Sequence, residues 1–514
     1  MLNKYASPED ESFKTVSSTL LELSIEAQKE FRSKLSLAND PIGLQIANWL
    51  KSSPVKIEHD SQIDTLVFKA RMLEKLGNSE NLKSTSILAK VTSKARRDIS
   101  QNAQGLSLVL NTTAGIAEKP PADAAFASEI ARKTIYEMRS KVEEFCQSAR
   151  DGILLDPQIN LEDAIEDEIT LAIDAKSDID LRQCVLETSD PSEDGQLPNT
   201  RITYVPGQSS GTALARLRYG YYQKKYLVIV ESFPYTPTSG TTDMPPDTLI
   251  KTRRMIERLS HPNRTSKHVL PCFGYIQDRY RKQIEVVFSV GEGYDVRKNP
   301  TSLYDLYSKM NRVPLGLRFK LAHSLATAVE GLHRVGWVHE ELKSKNFILL
   351  ERTNPGTAQP GYLNGSNLDF DNPYLLGFKW SRPADAETDL RSDFSLENNA
   401  YRHPDRWGKP VRFTKAHDIY SLGVIFFELV QWKPVTYRFK ILEGQPLGSE
   451  DLKKEILATT QRDVSHMAGQ SIADVIETCL NFDTLTKGLD QFEAHCIFKE
   501  KILGVVTRLA RADI

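Results

Sequence analysis

Apolar residues in the first 150 positions recur at steps of three and four. Val16, Leu20, Leu23, Ala27, Phe31 and Leu35 form one stripe of an amphipathic helix, and Ile135, Met138, Val142 and Phe145 repeat the pattern later. Further helices are expected over 41–51, 63–76 and 82–110, with Ser-Ser-Pro, Gly-Asn-Ser and Lys-Pro-Pro as the breaks. Each stripe needs a partner face to leave water, so a bundle of four or five helices is the natural packing.

The pattern changes at about residue 151. Glu162, Asp163, Glu166, Asp167, Glu168, Asp174, Asp178 and Asp180 make 151–199 an acidic stretch, and its Asp-Pro-Ser-Glu-Asp-Gly end has the composition of a linker. From Arg201 the runs become strand-like, at 201–205, 212–219, 226–233, 269–276 and 283–290, with one helix ending near Leu259. Beyond Thr301 helical spacing returns, as in Leu321, Leu325, Ala328 and Leu332. The expected class is α+β: a helical bundle over 1–150, an acidic linker over 151–199, and a mixed domain over 200–514.

Length and composition narrow the function classes. A chain of 514 residues exceeds one core and predicts two or three domains. A net charge of −2, with 26% charged and 40% hydrophobic residues, gives no electrostatic footprint for nucleic acid. Cys146, Cys184, Cys272, Cys479 and Cys496 are scattered without paired spacing, which suggests neither a zinc site nor a disulfide framework. The N-terminus is polar, and no window approaches roughly 18 uninterrupted apolar residues, so neither a signal peptide nor a transmembrane span is expected. A cytoplasmic location follows as an expectation.

The candidate chemistry lies in Val338-His339-Glu340-Glu341-Leu342-Lys343-Ser344-Lys345-Asn346. Around it, in order, stand His261-Pro262-Asn263, Tyr401-Arg402-His403-Pro404-Asp405, Asp418-Ile419-Tyr420-Ser421-Leu422-Gly423-Val424, and a late helix around Ile472–Leu480. Together these resemble the protein kinases. The central run has the spacing of the catalytic loop H-R-D-L-x-x-x-N, and the others match the positions of A-P-E and D-x-W-S-x-G. The resemblance covers roughly residues 200–514 and implies a two-lobed kinase-like domain. It also implies that Asp418 hydrogen-bonds the backbone of the catalytic loop and that His339 is structural.

The residues that hold phosphate and metal depart from that family. Arg and Asp of the loop become Glu340 and Glu341. Of the two, Glu341 is the candidate base, on a stem one methylene longer, and a shift of about 1 Å can cost roughly 10²-fold in alignment. The third-strand lysine falls at Glu231, and the helix that should carry its partner Glu reads Lys251-Thr252-Arg253-Arg254-Met255. D-F-G aligns with Gly377-Phe378-Lys379, which loses the metal-binding Asp while Asn346 keeps a metal-ligand type. Gly207 and Gly211, in Pro206-Gly207-Gln208-Ser209-Ser210-Gly211, are the candidate glycine-loop contacts to nucleotide, at a spacing that is not G-x-G-x-x-G.

The expected function is therefore that of a signalling or regulatory protein whose degenerate kinase domain, a pseudokinase, serves as a binding or switch module. No cofactor and no metal site are expected, and the partners are proteins. One alternative is a divergent kinase using ATP and Mg, with Glu341 as base, Asn346 on the metal and Lys224 or Lys225 on phosphate. Another is a helical effector restrained by the kinase-like domain. The layout resembles the mixed-lineage kinase-like cell-death effectors and fungal proteins pairing a HeLo-type bundle with a kinase-like domain. Lys90, Lys94, Arg96 and Arg97 form a basic cluster able to dock on acidic lipid or on 162–168, against a plain solvated helix face. The activation segment implied by the resemblance runs from Gly377 to Asp405 and includes Ser381, Thr388, Ser392 and Ser395. Glu340 would repel a phosphate there.

Overall fold

The computed structural model describes residues 41–52, 60–83, 86–119, 124–187, 189, 191, 194–206, 216–263, 265–310, 313–353, 367–384, 396–407, 411–439 and 448–512. The stripe at Val16–Leu35 and the residues Gly207, Gly211, Thr388, Ser392 and Ser395 lie outside them. The chain is a mixed α+β protein with a helical N-terminal region. It divides into two compact units, one of residues 1–153 and 166–173, the other of 154–165 and 174–514.

The first unit is helical. Its main elements are α1 (Pro41–Ser52), α2 (Asp60–Gly77), α3 (Ser93–Ala117) and α4 (Ala124–Leu155). Their apolar stripes face inward: Ile46 and Leu50, Val67 and Leu73, Ile99 and Leu106, and Met138 and Phe145 are all buried. The helix expected over 82–110 is broken at Val91-Thr92, where the Thr92 hydroxyl accepts the Ala95 N–H at 3.4 Å and caps α3. Lys90 and Arg97 of the basic cluster are exposed. Among the described residues no helix is long and apolar enough to cross a membrane.

The second unit contains a five-stranded antiparallel sheet with strand order β1-β2-β3-β5-β4. The strands are β1 (Ile202–Tyr204), β2 (Leu217–Tyr222), β3 (Tyr226–Pro234), β4 (Cys272–Asp278) and β5 (Gln283–Ser289). Val228-Ile229-Val230 is fully buried because β3 is central and covered on both faces, so its apolar residues run continuously instead of alternating. Helix α6 (Pro246–Ser260) starts with Pro246, whose missing N–H is no loss in a first turn, and packs beside the sheet.

The later part of the acidic stretch, from Asp174 onward, belongs to this unit. Helix α5 (Lys176–Leu186) buries Leu181 and Val185 in the main core. Its Asp178 accepts two hydrogen bonds from Arg334, both 3.1 Å. The residues after it lie along the edge strand β4. The Leu197 N–H donates to the Tyr275 carbonyl at 2.7 Å, and the Tyr275 N–H to the Gly195 carbonyl at 3.0 Å. Gly274 permits this approach: its φ is +141°, and a Cβ there would sit 2.4 Å from the Gly195 oxygen. A linker composition thus ends as cover for a sheet edge.

The rest of the unit is mainly helical, with α7 (Leu303–Lys309), α8 (Leu315–Arg334), α9 (Lys415–Gln431) and α10 (Gln470–Leu480). Every residue of α9 from His417 to Val430 is buried, as expected of a helix surrounded by protein. Two small sheets are built from short strands. β6 (Thr301–Ser302), β8 (Phe347–Leu349) and β9 (Tyr374–Leu375) form one small sheet, and β7 (Trp337–Val338) pairs with β10 (Arg382–Pro383).

Candidate functional site

The loop from Val338 to Asn346 runs between β7 and β8 and is fixed from beneath by one carboxylate. Asp418, fully buried near the start of α9, accepts the His339 N–H at 2.8 Å and the Glu340 N–H at 3.1 Å. His333 of α8 approaches the same carboxylate through Nε2 at 3.1 Å, and burial lowers its pKa, so it stays neutral and donates. The role implied for Asp418 by the sequence is the geometry observed.

His339 is also a structural group. Its Nδ1 accepts the Glu341 N–H at 3.3 Å, which places the ring proton on Nε2, 3.1 Å from the Leu376 carbonyl. Burial pushes its pKa down. Phe378 packs edge-on against the ring, with centroids 4.8 Å apart.

Glu340, Glu341 and Glu231 are each tied to a base. Glu340 has φ +64°, an unusual left-handed conformation for a residue with a Cβ, sustained by the bond to Asp418 and by an ion pair with Arg382 of β10. Burial raises its pKa, while Arg382 and then Arg406 lower it. Glu341 pairs with Lys343 Nζ at 2.7 Å, and Lys343 also donates to Asn398 Oδ1 at 3.2 Å. Glu231 on β3 is 2% exposed and lies 3.3 Å from Arg216 Nε, while its Oε2 accepts the Gly377 N–H at 3.2 Å. Burial pushes the Glu231 carboxyl up, and the Arg216 guanidinium opposes that shift.

Asn346 is fully buried with both ends of its amide in use. Nδ2 donates to the Glu341 carbonyl at 2.7 Å, and Oδ1 accepts from Arg216 Nη2 at 2.7 Å. Gly377 faces this side chain with φ +88°. A Cβ there would lie 2.4 Å from Asn346 Nδ2, so a larger residue has no room.

The structure brings together Glu231, Glu341, Asn346 and Gly377, and separates Lys224 and Lys225 from them. Both lysines lie at the exposed β2–β3 turn, where Gln223 and Lys224 have positive φ, whereas Glu231 lies six residues further along β3. At ~3.3 Å per residue that is about 20 Å. The phosphate-binding lysine of the divergent-kinase alternative is therefore not supplied by this turn.

Arg216 and Arg382 are functional neighbours that no motif in the sequence marks. The available signal was indirect: an acid placed in a continuous apolar strand, such as Glu231, requires a base from a neighbouring element.

Beside the loop, a cavity of about 340 Å³ is lined by Glu340, Glu341, Lys343, Trp380, Tyr401 and Arg406, with His403 and His417 at its side. The Asp405 carboxyl is pushed up by burial, yet bonds from His403 and His417 hold it well below the usual carboxylate range. His403, Asp405 and His417 have a metal-ligand composition. The His417 Nδ1 already accepts the Thr414 N–H at 2.9 Å, so Nε2 carries the proton and donates to Asp405 at 3.3 Å. That hydrogen-bonded arrangement does not fit a metal.

No protein-family model matches this chain, and no curated protein matches it either.

Proposed function

We propose that residues 200–514 are a two-lobed, protein-kinase-like domain that does not transfer phosphate and works as a binding or switch module in signalling. The observation that carries this reading is the state of Asn346. In a working loop of this kind the asparagine holds metal, whereas here its oxygen is taken by Arg216 and its nitrogen by the backbone of Glu341. Gly377 supplies no carboxylate opposite it, and Glu231, already paired with Arg216, stands where phosphates would need a free cation. Phosphoryl transfer depends on positioning and charge neutralisation, and these substitutions remove both. The partners are taken to be proteins and the location cytoplasmic, on the grounds given by composition.

The reading is tested with the full chain, ATP, magnesium and generic protein substrates. Phosphate transfer is expected to stay at background, and Glu341→Ala is expected to change nothing. Labelling of the protein or a substrate that Glu341→Ala or Asn346→Ala abolishes would establish the divergent-kinase reading instead.

A further inference from the structure

Glu231 and Asn346 offer one cation two oxygens of the kind that hard divalent ions select, a carboxylate and an amide carbonyl. The cation between them belongs to the chain. Arg216 reaches Glu231 through Nε at 3.3 Å and Asn346 Oδ1 through Nη2 at 2.7 Å, using two donors of one planar group. A lysine carries a single ammonium and would not span both in this way.

We infer that Arg216 is the built-in cation of this cleft, a guanidinium that takes the place of a divalent ion and closes the site to metal–nucleotide ligands. The inference deepens the reading of the domain as non-catalytic and rests on that reading only in naming metal–nucleotide as the excluded ligand.

Three features support it. The oxygen acceptors are deeply buried, 2% and 0% exposed, and an ionised carboxylate at that depth needs a compensating charge. The Arg216 side chain keeps 28% of its exposure, so its removal opens the site towards solvent instead of sealing an empty hole. The second carboxylate in reach, Glu341, is neutralised separately by Lys343 at 2.7 Å. Removing the Arg216 charge thus leaves the Glu231 carboxylate and the Asn346 oxygen without a cation. A divalent ion from solution can supply it.

The test is Mn²⁺ uptake by the full chain without nucleotide, followed by electron paramagnetic resonance at mildly alkaline pH. Wild type and Arg216→Lys are expected to take up no Mn²⁺ at submillimolar concentration. Arg216→Met, which keeps the stem and removes the charge, is expected to bind one ion, and Arg216→Met/Glu231→Gln to lose it. Arg216→Gln/Glu231→Gln, a neutral pair, is expected to fold. Wild-type uptake equal to that of Arg216→Met, a folded Arg216→Met that binds nothing, or uptake that survives Glu231→Gln would each overturn the inference. Failure of the neutral pair to fold would also overturn it, because Arg216 would then do more than neutralise. Phosphate transfer by wild type would overturn the preceding proposal without touching this measurement.

Discussion

The two sides of the loop from Val338 to Asn346 differ in what their charges face. Beneath it, Asp418 is spent wholly on backbone and on a neutral histidine, with bonds of 2.8, 3.1 and 3.1 Å to His339, Glu340 and His333. Above and beside it, Glu231, Glu340 and Glu341 each meet a basic side chain of the same chain. The lower side is scaffold: its carboxylate accepts two backbone N–H groups and one histidine N–H. The upper side is a set of acids, each paired with a base of the same chain. Loop geometry and loop chemistry are thus separable: one aspartate holds the loop backbone, while the acids above it pair with side chains of the same chain.

The comparison breaks first if Asp418 is dispensable. Asp418→Ala leaves the buried His339 N–H, the partly buried Glu340 N–H and the His333 donor without an acceptor, at about 1–3 kcal/mol for each buried group. It should destabilise the chain more than any single substitution among the acids above the loop, read as the shift in denaturant midpoint. An effect no larger than that of Glu341→Gln would remove the distinction between the two sides.

Next comes the pair on the β10 side. Arg382→Glu places a second acid beside the largely buried Glu340 carboxyl, 9% exposed, and should cost up to about 3–5 kcal/mol, the scale for breaking a buried pair. The exchanged pair Glu340→Arg/Arg382→Glu should recover more than half of that loss. A double variant no more stable than Arg382→Glu alone would mean that Arg382 acts through its bonds to Pro383 and Phe413 carbonyls instead.

A third effect sharpens the scaffold side through pH. Burial pushes the Glu428 carboxyl up to about 7, against hydrogen bonds from Ser344, Val435 and Tyr401. Between the ordinary carboxylate range and about 7 the folded chain holds a proton that the unfolded chain has released. Stability contributed by this group is therefore fully present below about pH 4 and is lost as pH rises towards neutrality, on the order of 3 kcal/mol in all. Glu428→Gln should flatten that slope, as followed by melting temperature across the range. An unchanged slope would assign it to other groups.

The smallest effect is expected at Glu341. Its pair with Lys343 is partly exposed, 20% and 13%, so Glu341→Gln should move stability by less than about 1 kcal/mol.

Some of this is legible in the chain, and the exceptions have physical causes. The helical stripes around Met138 and Phe145, the strand Val228-Ile229-Val230 and the buried helix behind Asp418 follow from periodicity, because burial of a face imposes its own spacing. The bond from Asp418 to the loop is implied by a motif and is present. The acidic stretch misleads: its charges suggest solvent, yet Leu181 and Val185 are core residues and Asp178 is held by Arg334. Arg216 and Arg382 are illegible for a different reason. An ion pair between residues 15 or 42 apart leaves no periodic trace, and only the burial of the Glu231 and Glu340 carboxyls reveals that a partner must exist.

The most direct test of the account is a calorimetric titration of the full chain with ATP, with and without magnesium. A site in which Arg216 already pairs with Glu231 and Asn346, and which lacks a carboxylate at Gly377, predicts binding that is weak or absent and indifferent to magnesium. A micromolar affinity that depends on magnesium would contradict it.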